Sequence, residues 1–261
     1  MEKIISLENK HAKLWKKLKN KKNRLKYKLY LLEGWHLVEE AINDYNVKIN
    51  CIFGTDIGLK NHQGELPNDV QIIEINQKIA DSISDVITNQ GIFAEVILNY
   101  NNELPDNLEG PWLLLDNIQD PGNIGTMVRT ADAAGFEGVI FGDGTVDQYN
   151  PKVVRSMQGS QFHLKIIKND LHDSIKVLHK YGYEVYGSKL DPKATNYQSI
   201  SKKSQFGLIM GNEGNGMQNS LGEQTDANLY IPILGRAESL NVAVAAGILM
   251  FQLMKDSDKI N

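Results

Sequence analysis

Residues 116–136 read DNIQDPGNIGTMVRTADAAGF, and this stretch decides the fold of the larger part of the chain. It follows an apolar run that reads as a buried strand, and its Pro-Gly pair is typical of a turn. Small and apolar residues then predict a helix from about Gly125, with Gly135 as its C-cap. We therefore expect Asn123 in the strand-to-helix loop and Arg129 in the helix.

Arg129 is the one basic side chain in this otherwise small and apolar helix. Its planar guanidinium holds five donors in a fixed arrangement that suits a phosphate or a carboxylate. Two interpretations are open from the residues alone. Arg129 either binds a ligand or forms a structural ion pair with Asp132 or Asp116.

A second segment, residues 209–217, reads IMGNEGNGM and again places glycines after an apolar strand. Glu213 stands between small residues, so its carboxylate can reach an arginine or a substrate hydroxyl. The glycine order matches neither a dinucleotide-binding fingerprint nor a Walker A loop. The alternative interpretation is that this segment is only a turn.

A third segment, residues 231–247, reads IPILGRAESLNVAVAAG and joins a strand to a helix that is expected to start near Ser239. Ser239 is either a site residue or a plain N-cap. From Val242 onward the helix is apolar on every face, and such a helix must be covered on every face. Because it is too short to cross a membrane, we expect a homodimer in which a second subunit covers part of it.

The 261 residues allow one large domain or two ordinary ones, and 23% charged residues is typical of a globular protein. No apolar run approaches the roughly 18 residues that span a bilayer, and the N-terminus lacks the apolar segment of a secretory signal. Together with the single cysteine, Cys51, these features predict a cytoplasmic protein without membrane association. No metal site is expected, because the histidines form no close pair and no Cys-x-x-Cys occurs.

The net charge of −4 hides a strong asymmetry along the chain. Residues 1–32 have 11 basic residues and two acids, a balance of +9, whereas the remaining residues have a balance of −13. An amphipathic helix is predicted over roughly 7–22, with Trp15, Tyr27 and Tyr30 near its basic face. This region predicts binding of structured RNA, not DNA, and the alternative is a solvated lysine-rich helix. The ten basic residues between Asn9 and Leu32 are Lys10, Lys13, Lys16, Lys17, Lys19, Lys21, Lys22, Arg24, Lys26 and Lys28.

The chain divides at a polar, turn-rich stretch, residues 99–111, which contains two prolines. We place the domains at 1–104 and 105–261. In the first, strands that alternate with helices predict a small α/β domain. In the second, they predict a mostly parallel sheet with helices on both faces.

The order, spacing and residues of the three glycine-containing segments closely resemble the SpoU/TrmH branch of the SPOUT RNA methyltransferases. The resemblance covers the C-terminal domain, and residues 150–157, NPKVVRSM, are similar to a further family segment near the site. It implies an α/β fold with a deep trefoil knot, which sequence rules alone would not predict. The N-terminal part, with its basic entry helix and Leu32-Glu33-Gly34 strand end, is similar to an L30e-like substrate-binding domain.

The resemblance implies transfer of a methyl group from S-adenosylmethionine to a ribose 2′-hydroxyl of RNA, with 23S rRNA as the expected substrate. The alternatives are the same reaction on tRNA, or a catalytically silent, knotted RNA-binding protein. The family's catalytic set corresponds to Asn123, Arg129, Glu213, Ser239 and Asn241, and its cofactor-binding set to Gly211, Ile231 and Leu240. Because arginine is effectively always protonated, we expect Arg129 to grip the neighbouring phosphate and stabilise the developing alkoxide.

Overall fold

The computed structural model describes residues 2–189, 191 and 193–255, and the chain forms two compact units. The first unit comprises the chain up to Asn99 together with residues 147–162, and the second comprises the remainder. The predicted division at 104/105 therefore differs from the compact units in one large respect. Residues 147–162 belong with the N-terminal part, because the helix within them packs on a strand of the first unit.

Residues 2–99 alternate strands with helices, as the sequence predicts. Their elements are β1 (Glu2–Ile4), α1 (Lys10–Lys17), α2 (Lys21–Tyr27), β2 (Leu29–Glu33), α3 (Trp35–Asn43), β3 (Ile49–Gly54), α4 (Asp56–Lys60), β4 (Gln71–Ile75), α5 (Gln77–Ile83) and β5 (Ile92–Ile97). The sheet has the order β1-β4-β3-β5-β2. Strands β1, β4 and β3 are parallel, whereas β5 runs antiparallel to both β3 and β2.

The basic N-terminal stretch forms two short helices rather than the one amphipathic helix that the spacing predicts. Helix α1 ends at Lys17, and the side chain of Asn20 then caps α2 by accepting a hydrogen bond from the backbone of Lys22. An asparagine that hydrogen-bonds the local backbone favours a helix start over a helix interior. The lysines are thus distributed over two helices.

Trp15 and Tyr30 are core residues, so the expectation that they flank an RNA-binding face is wrong. Trp15 is fully buried, its ring stacks on Phe53 with centroids 3.7 Å apart, and its Nε1 donates to Glu95 at 2.7 Å. Tyr30 is also buried, and burial raises the pKa of its hydroxyl. Only Tyr27 of the three aromatic residues is exposed.

The remainder of the chain contributes seven strands and five α-helices within the described residues. The elements are β6 (Trp112–Leu115), α6 (Pro121–Ala133), β7 (Gly138–Phe141), α7 (Pro151–Met157), β8 (Lys165–Lys168), α8 (Leu171–Lys180), β9 (Glu184–Ser188), β10 (Thr195–Asn196), β11 (Phe206–Met210), α9 (Asn219–Gly222), β12 (Ala227–Tyr230) and α10 (Val242–Leu253). Of these, α7 lies in the first unit and the others in the second.

The second unit is built on a sheet of order β10-β12-β9-β11-β6-β7-β8, in which every pair of neighbours is parallel. The predicted α/β class with a parallel sheet is confirmed. The central strands β6, β7 and β11 are buried along their whole length, as expected of a sheet covered on both faces. Helices α6 and α10 pack against each other, and this pair carries the candidate site.

Within the described part of the chain, none of the helices combines the length and apolar character needed to cross a bilayer. Helix α10 is nevertheless apolar all round. Its Ala246 and Leu249 are fully buried, whereas Val244 and Phe251 are more than half exposed. The exposed side leaves part of this apolar surface without cover in a single chain.

Candidate functional site

The candidate site lies where three segments of the second unit meet, after β6, after β11 and before α10. Helix α6 begins at Pro121, and its N-cap Asp120 accepts a hydrogen bond from the Asn123 backbone at 2.8 Å. Asn123 therefore lies in the first helical turn and not in the preceding loop. At the other end, Gly135 follows the C-cap with a φ of +75°, the conformation that ends a helix and favours glycine.

Glu213 is the central acceptor of the site. Its carboxylate accepts hydrogen bonds from the Asn123 amide at 3.1 Å and from the backbone amides of Asp120 at 3.1 Å and Gln119 at 3.3 Å. Desolvation is the largest single influence on the pKa of Glu213, and by itself it would raise that pKa. The hydrogen bonds from Asn123 and the backbone together outweigh desolvation, so the pKa of Glu213 is lowered. The carboxylate is therefore ionised near neutral pH.

Asn241 completes a continuous chain of hydrogen bonds. Its amide donates to Asn123 Oδ1 at 3.0 Å, while its own Oδ1 accepts from the backbone amides of Ala243 and Val244. Asn241 is thus the N-cap of α10, so the helix starts at Val242, three residues after the expected position near Ser239. Three of the five expected catalytic side chains, Asn123, Glu213 and Asn241, are brought together by these contacts.

Arg129 and Ser239 stay outside this hydrogen-bonded set. Arg129 is exposed on α6, and its guanidinium makes neither a hydrogen bond nor an ion pair with any residue that the structure describes. The alternative of a structural ion pair gains no support. Asp132 pairs with His163 at 2.9 Å, and Asp116 accepts from Gln218.

Ser239 is exposed in the loop that precedes α10, two residues before Asn241. It is not the N-cap of the helix, so that alternative is excluded. The roles of Ser239 and Arg129 in catalysis stay predictions.

The three expected cofactor residues lie at the ends of β11 and β12 and before α10. Gly211 is buried, and a Cβ added there would lie 2.1 Å from the Met217 backbone nitrogen. The glycine is therefore required by the close approach of two backbone segments, which are joined by hydrogen bonds between Asn212 and Gly216. This packing requirement exists whether or not a ligand binds.

Ile231 and Leu240 bound an open loop. Ile231 is half-buried directly after β12, and Leu240 is 39% exposed. Between them, the backbone of residues 233–240 makes no hydrogen bond with another described residue. Eight consecutive peptide groups with free donors and acceptors suit a ligand that is recognised through the backbone.

Asp116 is a residue of the site that sequence reasoning treated only as an ion-pair candidate. It is 1% exposed and accepts from the Gln218 backbone at 2.7 Å and from its side-chain amide at 2.6 Å. Asn212 adds a second tie by donating to the Asn117 carbonyl at 2.7 Å. These contacts hold the second segment against the first. The sequence signal that could have identified Asp116 is a carboxylate at the end of an apolar strand with no cation nearby in the sequence.

Among the described residues, no group of three or more His, Cys, Asp or Glu side chains is arranged to hold a metal ion.

Residues 111–251, more than half of the chain, match the model of the SpoU rRNA Methylase family. The chain belongs to the SpoU rRNA methylase family. Residues 9–94 match an MRM3-like substrate binding domain, which gives the first unit its own family likeness.

Relatives of this SpoU-family chain cover from about two thirds to nearly all of its length. It is 40% identical over 256 residues to the 23S rRNA (guanosine(2553)-2'-O)-methyltransferase RlmP of Bacillus subtilis strain 168, across 97% of this chain and 99% of the relative. It is 34% identical to RlmB of Escherichia coli K12, a 23S rRNA (guanosine-2'-O-)-methyltransferase, across 69% and 77%. The AdoMet-bound rRNA methyltransferase of Sinorhizobium meliloti has a TM-score of 0.86 and 29% identity, with 97% of each chain covered.

Proposed function

We propose that this protein transfers a methyl group from S-adenosylmethionine to a ribose 2′-hydroxyl of 23S rRNA. The observation that carries the proposal is the hydrogen-bonded set of Asn123, Glu213 and Asn241 beside an open-backbone loop. The full-length likeness to a 23S rRNA 2'-O-methyltransferase supports the substrate and the position of the methyl group. Because that substrate is ribosomal, we expect the protein in the cytoplasm.

The chemistry of the loop fits the cofactor. S-adenosylmethionine supplies a methyl group on a sulfonium, which is already a good leaving group. The free peptide groups of residues 233–240 suit an adenine edge, and Ile231 and Leu240 provide apolar contact. Gly211 lets the backbone of Met217 come close to the end of β11 without a side chain between them.

The remaining task is to position and activate a weak nucleophile. Glu213 is ionised, and its oxygens accept from Asn123, Asp120 and Gln119, so we assign it to fixing the Asn123 amide. Asn241 fixes the other end of that amide. Arg129 is exposed and unpaired among the described residues, which leaves its guanidinium available for the phosphate beside the target ribose.

We propose that RNA phosphates bind the exposed lysines of α1 and α2. Not every basic residue of this region is available. Arg24 is buried, Lys13 pairs with Glu8, and Lys19 pairs with Asp85. The exposed set without an ion pair among the described residues is Lys10, Lys16, Lys17, Lys21, Lys22, Lys26 and Lys28.

We further propose a trefoil knot around the site and a homodimer. The knot is supported by family membership and by the hydrogen bond that joins Asn241, just before α10, to Asn123 of the first segment. The homodimer is supported by the exposed apolar side of α10, which includes Val244 at 53% and Phe251 at 57% exposure. A solvent-facing aromatic and aliphatic pair on an all-apolar helix is typical of a covered surface.

Transfer of tritiated methyl from S-adenosylmethionine to 23S rRNA and to tRNA tests the proposed function. We expect ribose-methylated 23S rRNA, loss of transfer in Arg129→Ala, and poor transfer in Arg129→Lys, because a lysine lacks the planar fork. Lys180→Ala, which removes an exposed charge elsewhere in the second unit, is the matched control. Methylation of tRNA alone would favour the tRNA alternative, and no transfer to either RNA would favour the silent RNA-binding protein.

Salt dependence tests the RNA surface. Lys17→Ala/Lys22→Ala should weaken RNA binding and reduce the slope of log K against log salt by about 1 to 2, since each phosphate contact contributes about 0.7–0.9. The control Lys176→Ala/Lys180→Ala removes two exposed charges of the second unit and should leave the slope unchanged. Equal slopes for both double variants would refute the assignment.

A further inference from the structure

Residues 147–162 interrupt the sequence of the second unit and belong to the first unit. The chain before residue 147 and after residue 162 belongs to the second unit, whereas this segment clusters with the first. Its helix α7 packs on β2. A segment that is covalently part of one unit and packed in the other can transmit position between them.

Arg24 holds the start of this segment. Its side chain is 2% exposed, and its Nη2 lies 2.6 Å from Asp147 Oδ2, a carboxylate that is 7% exposed. Its Nη1 donates to the carbonyls of Leu18 at 3.0 Å and Lys19 at 2.9 Å. One guanidinium thus joins the end of α1 to the returning segment, and it is inaccessible to RNA phosphates.

Further contacts hold the rest of the segment. Arg155 lies 3.5 Å from Glu33, and His36 Nε2 lies 2.9 Å from the Gln158 carbonyl. Gly159 has a φ of +94°, and a Cβ there would lie 2.9 Å from the Glu40 side chain. The segment is therefore fixed at its start, within α7 and at its end.

On the other side of Asp147, the chain leads directly to the candidate site. The backbone of Val146 donates to the Ile118 carbonyl at 3.0 Å, and the Ile118 backbone donates to Thr145 Oγ1 at 3.2 Å. The next residue, Gln119, uses its backbone amide to hold Glu213. Asp147, which Arg24 binds, is therefore adjacent in the chain to Val146, and Val146 is hydrogen-bonded to the residue that precedes Gln119.

We propose that Arg24 is a positioning residue for methyl transfer, acting through Asp147 and residues 145–146 on the loop that holds Glu213. The proposal rests on the proposed function for its kinetic consequence. It separates Arg24 from the exposed lysines of α2, which we propose as RNA contacts. A shift of the loop displaces Glu213, and with it Asn123, because both are joined by hydrogen bonds.

Arg24→Lys is the decisive variant, because it keeps the charge but cannot reach Asp147 and both carbonyls at once. We expect kcat to fall by at least about tenfold, since small misplacements of catalytic groups are costly. The KM for RNA and its salt dependence should stay unchanged. Lys22→Ala, on the same helix but exposed, should instead raise the KM for RNA.

Amide hydrogen exchange gives a readout independent of activity. In the full-length protein, Arg24→Lys should accelerate exchange in peptides covering residues 117–120 by at least about fivefold, a local opening distinct from global unfolding. His36→Ala removes an exposed contact at the far end of the segment, so it tests the same idea with little risk to folding. It should produce a smaller acceleration in the same peptides.

The outcomes separate this proposal from the proposed function. An unchanged exchange rate at 117–120 in both variants would overturn the positioning role. A higher KM for RNA with unchanged kcat in Arg24→Lys would overturn it as well and place Arg24 among the RNA contacts. If the wild-type protein transferred no methyl group, the proposed function would fail, while the exchange rates would still decide the positioning role.

Discussion

Asn123→Ala is the sharpest test of the hydrogen-bonded set. The substitution removes the bond to the ionised Glu213 at 3.1 Å and the bond from Asn241 at 3.0 Å. A hydrogen bond to a charged group contributes about 1.5–3 kcal/mol and a neutral one about 0.5–1.5 kcal/mol. Because the site is partly open to solvent, the lower ends apply, and the sum is about 2 kcal/mol. That loss corresponds to about a 30-fold lower kcat/KM.

The assay is single-site methyl transfer to 23S rRNA, with cofactor affinity measured separately by calorimetry. Asn215→Ala is the matched control, because Asn215 is exposed near Glu213 and its side chain makes no hydrogen bond among the described residues. We expect the control to retain wild-type activity and melting temperature, whereas Asn123→Ala should also melt at a temperature about 4–8 °C lower, since 1 kcal/mol corresponds to about 2–4 °C in a chain of this size. A kcat/KM for Asn123→Ala within twofold of wild type would refute the reasoning.

The pKa of Glu213 is lowered from its ordinary 4.5, so its stabilising contribution is present above that pH and is lost as the pH falls through the folded-state value. The difference in free energy of unfolding between wild type and Glu213→Gln, measured by chemical unfolding, should therefore shrink from pH 7 to pH 3. A constant difference would contradict this. Gly211→Ala should destabilise the fold by about 1–3 kcal/mol through overpacking against Met217, whereas Gly214→Ala meets its nearest atom at 3.7 Å and should melt like wild type. Phe251→Glu should convert the proposed dimer to a monomer in sedimentation equilibrium, and a wild-type monomer at micromolar concentration would rule out the dimer.

The sequence was most informative about the second unit, because there each motif is local. An apolar strand followed by glycine and a polar residue predicts a strand end and a tight turn, and the strands of 112–115, 138–141 and 206–210 agree with the structure residue for residue. The convergence of Asn123, Glu213 and Asn241 was implied by the family resemblance. No spacing rule could bring together three residues separated by 90 and 118 positions.

The first unit was harder because its decisive contacts are long-range. Trp15 is surrounded in the sequence by lysines, so an exposed aromatic face is a reasonable prediction. Its burial depends on Glu95, 80 residues away, which accepts its indole hydrogen, and on Phe53, against which it stacks. Arg24 is a comparable case, since its partner Asp147 lies 123 residues further along the chain. Composition identifies a basic region, but only the fold identifies which cations are available to RNA.

The state of Glu213 determines how the remaining chemistry must be divided. A carboxylate that accepts from two backbone amides and the Asn123 side chain, and whose pKa is lowered, is a poor proton acceptor at neutral pH. Its hydrogen bonds instead orient Asn123, and Asn241 orients the same amide from α10. Charge that develops on the ribose oxygen therefore needs a separate stabilising group. We propose that Arg129, which is on the same helix as Asn123 and has no partner among the described residues, provides it.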